Sequence, residues 1–340
     1  MTHLKKIAEK ERLSDASSKS TRTSKRLLRA SLTVLAVSAV ATGLSALPAH
    51  AHGKMHCKPE VGRAVADPIV FHDLSGPQGH MHSYLANKAI MLGDVGGKEY
   101  SDLVGKPTTC LNPADSAAYW YPTILRNGQP VPTFRAIAYY RNWNFDATRD
   151  QEGTGNEAYP RDLRVVAGDA DTQGGGPHVN WNCNQGSTRP GPYRDPVEAA
   201  CDQARPSSRT GQVYLGAHIN FPTCWTGVLN DHNKTGNTAD YHGAASNTAK
   251  DQLAYVTSAG NCPAGFGHKL PQLRLALQWD YQGSGRDLTL SSSAHDGVPF
   301  NMHSDFWNTW VQSGLDSMVD RCINTTTAHP HGSATICGPN

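Results

Sequence analysis

Gln212-Val213-Tyr214-Leu215-Gly216-Ala217-His218-Ile219-Asn220-Phe221 alternates along its length, with Val213, Leu215, Ala217 and Ile219 on one face and Tyr214, Gly216, His218 and Asn220 on the other. A period of two marks a strand with one buried face. Leu273 to Tyr281 repeats the pattern, setting Leu273, Leu275, Leu277 and Trp279 against Arg274, Ala276 and Gln278, and Phe134 to Tyr140 and Leu163 to Ala167 are two further strand-like runs. Strands without intervening helices bury their apolar faces against one another. The expectation is therefore a mainly β protein, an antiparallel β-sandwich of jelly-roll-like form with long loops and a C-terminal helix.

Ser304 to Ile323 supplies that helix in this reading, with Phe306, Trp310, Leu315, Met318 and Val319 sharing an apolar side and Gly314 interrupting it. The Gly/Asn/Asp-rich connections Gly168 to Pro177 and Asn230 to Ala249 are longer than ordinary loops. In a cross-linked domain they read as ordered and functional.

Residues 1–51 read as a secretory signal, with a basic leader ending Lys25-Arg26-Leu27-Leu28-Arg29, an apolar run from Ala30 to Leu47 and a small-x-small site at Ala49-His50-Ala51. An uncleaved anchor is the alternative, weakened by the serines, threonines and glycine of that run. Residues 52–66 then form a lead-in and 67–340 a single secreted domain, with membrane contact only during export. All eight cysteines, from Cys57 to Cys337, follow the expected cut. An even number in an exported chain predicts four disulfides whose pairing the sequence leaves open. Of the 31 Lys/Arg and 29 Asp/Glu, nine and three lie in the first 51 residues, leaving 22 and 26 and a formal charge of −4. The sequence beyond the leader shows no basic stripe, so no nucleic-acid partner is expected.

Gly76-Pro77-Gln78-Gly79-His80-Met81-His82-Ser83 holds two histidines at i, i+2, on one face of an extended chain. Asn301-Met302-His303-Ser304-Asp305 sets a histidine and a carboxylate at the same spacing. If the fold joins these clusters, His80, His82, His303 and Asp305 form an acid/base set, and the three imidazoles can hold Zn or Cu as a divalent cofactor. The bland alternatives are histidines bonded to backbone groups in Gly-rich turns, and Ser304 or Asp305 as the N-cap of the final helix. Asp67, before Pro68, is a further carboxylate near the first cluster. Asp231, His232, Asp240 and His242 offer others in one loop.

Two aromatic-rich blocks suit sugar rings: Asp115 to Pro122, in which Asp115, Tyr119 and Trp120 are substrate-binding candidates, and Phe221 to Gly227. For Trp225, beside a cysteine, core packing is the competing role. Cleavage after Ala51 leaves His52 at the amino terminus, an arrangement that resembles the histidine brace of lytic polysaccharide monooxygenases. There is no Gly-x-Ser-x-Gly elbow, no phosphate-cradling Gly-Lys loop, no Gly-x-Gly-x-x-Gly and no His-Glu-x-x-His. These absences disfavour common serine hydrolases, nucleotide enzymes and zincins.

Asp67-Pro68-Ile69-Val70, His80-Met81-His82, Thr108-Thr109-Cys110, Asp115 to Pro122, Phe221 to Gly227, Leu270-Pro271-Gln272-Leu273 and Met302 to Phe306, in this order, resemble a secreted microbial family. It is the one catalogued as domain of unknown function nineteen-ninety-six. The resemblance runs from about Asp67 to Trp310 and carries over to His80, His82, Asp115, Tyr119, Trp120, Cys224, Trp225, His303 and Asp305. The chain departs from the family at Thr226-Gly227 and at Asn230-Asp231-His232. Members look like exported proteins of fungi and actinobacteria, often joined to carbohydrate-binding or wall modules, which implies a polysaccharide-related role by association and no set reaction. Three functions stay open: a His/Asp enzyme on extracellular or cell-wall polysaccharide, a non-catalytic glycan- or wall-binding protein, and a copper monooxygenase with a His52 brace.

Overall fold

A computed structural model describes residues 52–58, 60–71, 76–142, 155–183, 193–204, 211, 213–229, 252–324 and 337. Ten strands form two five-stranded sheets. In chain order they are β1 (His52–Cys57), β2 (Gly62–Val65), β3 (Met81–Ala86), β4 (Ala118–Pro122), β5 (Thr133–Arg141), β6 (Arg164–Gly168), β7 (Val179–Cys183), β8 (Leu215–Asn220), β9 (Gln272–Trp279) and β10 (His303–Trp307). The first sheet has the order β1-β5-β9-β8-β7 and the second β2-β3-β4-β10-β6. Every neighbouring pair in both is antiparallel. Two small three-stranded sheets flank them.

The four strand-like runs of the sequence are β5, β6, β8 and β9, and the apolar sides read from their alternation do face inwards. Ala217, Ile219, Leu273, Leu275 and Leu277 share one core with Leu85, Val165 and Phe306 of the second sheet. Tyr121 meets Trp279 across the layers edge-on, with ring centroids 5.8 Å apart. Burying a side chain of this size contributes about 1.5–3 kcal/mol. The second sheet is covered on its other face too, where Tyr84, Trp120 and Trp307 pack with Ile69, Ile90 and Leu103.

Two expectations need correction. The final helix does not begin at Ser304: His303–Trp307 is an interior strand, and the helix is Gln312–Met318, continued by a π turn at Val319–Ile323. All five strand residues are buried because both faces of that sheet are covered. Such a strand carries no polar alternation, so Phe306 and Trp310 imitated a helical stripe. The segment from His52 to Cys57 is not a loose lead-in either. It pairs with β5 over six positions, and a Cβ at Gly53 would lie 2.5 Å from Met318 Sδ, so a larger residue there would displace the Met318 side chain.

Four disulfides are present: Cys57–Cys110, Cys183–Cys201, Cys224–Cys262 and Cys322–Cys337. The last ties the end of the helical segment to Cys337, whose carbonyl accepts the Lys54 N–H at 2.7 Å. The loop Asn230 to Ala249 and its candidates Asp231, His232, Asp240 and His242 lie outside the described residues. Among the described residues no helix is long and apolar enough to cross a membrane.

Candidate metal centre

Register brings the two sequence clusters together. His82 on β3 pairs with Pro122 on β4, and Asp305 on β10 pairs with Trp120, so continuing the register sets Pro122 between His82 and His303. Side chains two apart share a face, and His82, His303 and Asp305 share the face of Tyr84, Trp120 and Trp307, away from the inter-sheet core. The compact proline ring between them leaves space for two imidazoles to lean together. His80, just before β3, completes the group.

His80 Nε2 lies 3.3 Å from His303 Nε2, and His82 Nε2 lies 3.2 Å from the same atom. Asp67 Oδ2 is 3.9 Å from His82 Nε2, and Asp305 Oδ2 is 4.0 Å from His303 Nε2. Within each of two sets, His80/His82/His303 and Asp67/His82/Asp305, the ligand atoms lie within 4.8 Å of one another. All five side chains are buried, none more than 5 % exposed.

The His82 tautomer follows from its partner. Nδ1 is 2.9 Å from the Ala66 carbonyl, which can only accept, so Nδ1 carries the proton and Nε2 of the neutral ring carries a lone pair. Burial first, and then the neighbouring His303, hold the His82 pKa well below the ordinary imidazole value, against the Ala66 bond. The ring is thus neutral at physiological pH, as a metal ligand must be. Asp67 accepts the backbone N–H groups of Ile69 and Val70 at 2.9 and 3.0 Å through Oδ1. Burial pushes its carboxyl up to about 6, against those two bonds.

Hydrogen bonding alone serves this cluster poorly. With His82 Nε2 unprotonated, a proton on His303 Nε2 is divided between two acceptors, and a proton on His80 Nε2 instead leaves His82 and His303 facing each other with lone pairs. A tetrahedral ion with bonds of about 2.0–2.1 Å holds its nitrogens about 3.3–3.4 Å apart, close to the 3.3 and 3.2 Å that separate His303 Nε2 from those of His80 and His82. A second grouping, Cys57, Cys110 and Asp115, is no such site, because its sulfurs are joined to each other.

Of the sequence candidates, His80, His82, His303 and Asp305 meet. Asp305 is no helix cap; it lies mid-strand between Trp120 and Val166. Asp115, Tyr119 and Trp120 do not form an open sugar platform, since they are 0, 1 and 0 % exposed. Tyr119 faces the inter-sheet core and Trp120 the opposite one. Side chains in Ala118–Pro122 alternate between the two covered faces, so a five-residue strand buried on both leaves no residue for solvent. Trp225 is also buried, its indole N–H donating to the Val228 carbonyl at 2.7 Å. His52 starts β1 opposite Arg141, and its side chain lies outside the described residues.

The sequence reading did not find the supports of His303. Gly168 pairs with it at φ +87°, and a Cβ there would lie 2.5 Å from the Met302 carbonyl and 2.9 Å from His303 Cα. Gly175, at φ +91°, presses on the same carbonyl. Both glycines belong to the loop expected to be functional. Gly168→Ala should therefore cost about 1–3 kcal/mol in urea melts through strain and also weaken metal uptake by moving His303. Unchanged uptake would show that the imidazole is held from elsewhere. Beside this edge strand runs a cleft of about 400 Å³, lined by Val166, Gly168, Asp169, His178 and Tyr255 among others. His178 and Tyr255 stack there at 3.3 Å.

The molecule is thus a disulfide-tied antiparallel β-sandwich with a buried His/Asp cluster on the covered face of one sheet. The chain belongs to the family described as Domain of unknown function (DUF1996), whose model matches residues 67–310. The match takes in His80, His82, His303, Asp67 and Asp305. No curated protein and no solved structure matches the chain.

Proposed function

We propose that this is an exported metalloprotein that acts on extracellular or cell-wall polysaccharide by metal-assisted hydrolysis. Its ion is a divalent first-row metal, Zn or Cu, held by His80, His82 and His303, with Asp67 and Asp305 beside it. The observation that carries the reading is that the buried Nε2 atoms of His80 and His82 both lie 3.2–3.3 Å from Nε2 of His303. An ion there supplies Lewis acidity, which lowers the pKa of water to about 7 or polarises a substrate oxygen. The chain's own part is to fix the ligands: the Ala66 carbonyl sets the His82 tautomer and Gly168 sets the His303 backbone. The cleft along β6, whose lining includes Gly168, the pairing partner of His303, is the approach for a substrate in this reading. Export is supported by the leader and the four disulfides, and the polysaccharide by the family resemblance.

The test is elemental mass spectrometry on protein exported by its own leader, wild type against His82→Ala, with the mature amino terminus mapped in the same sample. Stoichiometric zinc or copper in the wild type and its loss in the variant are expected. Copper retained by the variant, with His52 as the terminus, would favour the brace. Absence of metal from both would leave non-catalytic glycan binding as the better reading.

A further inference from the structure

One disulfide has a carboxyl against both of its sulfurs. An Asp115 carboxyl oxygen and the Sγ atoms of Cys57 and Cys110 lie within 4.8 Å of one another. Among the described residues no other bridge has a carboxylate or imidazole placed in this way. This bridge also clips the two sheets together. Cys57 ends β1 of the first sheet, and Cys110 follows Thr109, whose N–H donates at 2.9 Å to the carbonyl of Ala86, the last residue of β3 in the second. Backbone bonds bracket the sulfurs on either side: the Lys58 N–H donates to the Thr109 carbonyl at 3.1 Å, and the Leu111 N–H to the His56 carbonyl at 2.8 Å. Cys57 and Cys110 form an antiparallel pair between them, so the two thiols stay opposed when the S–S bond is broken.

We propose that Cys57–Cys110 is a thiol–disulfide exchange site, with a dithiol as its partner and Asp115 as the acid that protonates the departing sulfur. A thiolate of the partner attacks one sulfur, and the S–S bond breaks as the mixed disulfide forms. The departing thiolate takes the Asp115 proton and becomes a thiol. The partner's second thiol, once ionised, then displaces the other cysteine, which takes a proton from water. Asp115 regains its own proton from solvent. The two cysteines gain two electrons, and the dithiol leaves as its disulfide.

The surroundings of Asp115 fit this role. The side chain is 0 % exposed, and burial pushes its pKa up to about 8, against the bonds from Tyr119 and Ala117. It therefore holds a proton to give at neutral pH. The titratable groups that face it are Tyr119 of β4 and Tyr140 of β5, and burial keeps both hydroxyls protonated. Each cysteine keeps 7 % exposure, and exposed Lys58 and Leu111 follow them in the chain, so the bridge lies just under the surface.

This inference is independent of the metal centre. Its test is the rate at which dithiothreitol opens each bridge of the folded full chain, with and without prior chelation, followed by alkylation and mass spectrometry. At neutral pH Cys57–Cys110 should open at least tenfold faster than the other three, before tryptophan fluorescence reports unfolding, and should close again when an oxidised dithiol is supplied. Asp115→Asn should slow this bridge at least tenfold and leave the others unchanged. Divided by thiolate concentration, the wild-type rate should fall as pH rises through about 8. That profile needs no variant, so it decides the matter even if Asp115→Asn folds poorly. Opening no faster than at the other bridges, opening only together with unfolding, an unchanged rate in folded Asp115→Asn, or a wild-type profile flat through that pH would overturn the proposal.

Discussion

His303→Ala should reduce zinc or copper affinity by more than the roughly 10–100-fold that follows loss of a residue which only orients a ligand. His303 Nε2 is the atom both other imidazoles approach, at 3.3 and 3.2 Å. Its removal leaves His80 and His82 without a common centre. An ion held there would also stabilise the fold, because it would bind the assembled ligands and find no such set in the unfolded chain. At a thousandfold excess over the dissociation constant that linkage is worth about 4 kcal/mol. For a domain of this size it amounts to roughly 10 °C in melting temperature. Chelation should lower the wild-type melting temperature by about that much and leave His303→Ala unmoved. Equal responses of the two proteins would remove His303 from the metal site.

Asp115→Asn should remove one proton's share of the fall in stability that the wild type shows between about pH 4 and 8, the share that extends above the Asp67 value of about 6. Asp115 ends a buried chain of donors: the Trp310 indole N–H donates to the Tyr140 hydroxyl at 3.0 Å, Tyr140 and Tyr119 bond at 2.6 Å, and the Tyr119 hydroxyl donates to both carboxylate oxygens at 3.1 Å. Burial pushes the Asp115 carboxyl up to about 8, against the bonds from Tyr119 and Ala117. The folded pKa is above the unfolded one, so folding takes up a proton. The stabilisation is complete below pH 4 and is lost as pH rises through 8. One proton gives a slope of about 1.4 kcal/mol per pH unit. Asparagine keeps the acceptor for Tyr119 and has no proton to lose. Melting curves of the variant should therefore lack this slope and gain on the wild type at the alkaline end. A parallel decline in both proteins would place the titrating group elsewhere. The Asp115→Asn substitution should leave metal content at fixed pH unchanged, since Asp115 bonds to Tyr119 of the inter-sheet core and not to the His/Asp cluster.

The strands with one polar face were legible, because alternation in β8 and β9 is a local property of a half-covered sheet. The second sheet was harder to read. In Ala118–Pro122 and His303–Trp307 both faces are buried, so polar and apolar residues no longer report solvent. The same loss explains why Tyr119 and Trp120 looked available to sugar and why Asp305 looked like a cap. The candidate site was half visible. His80 and His82 stand two residues apart, at the start of one strand, and their spacing is local. The Ala66 carbonyl and the two glycines behind His303 act through backbone geometry, which side-chain identity does not announce.

By itself the sequence determined that the chain is mainly β, that its cysteines are numerous and even, and which histidines carry chemistry-ready spacing. These are properties of neighbours in the chain, set by periodicity and composition. Tertiary structure alone decided which cysteines pair, that His303 crosses 221 residues to reach His82, and that the Asp115 carboxyl stands against the Cys57–Cys110 sulfurs. Strand order and register set those distances, and they depend on how two sheets bury their faces together rather than on any single segment.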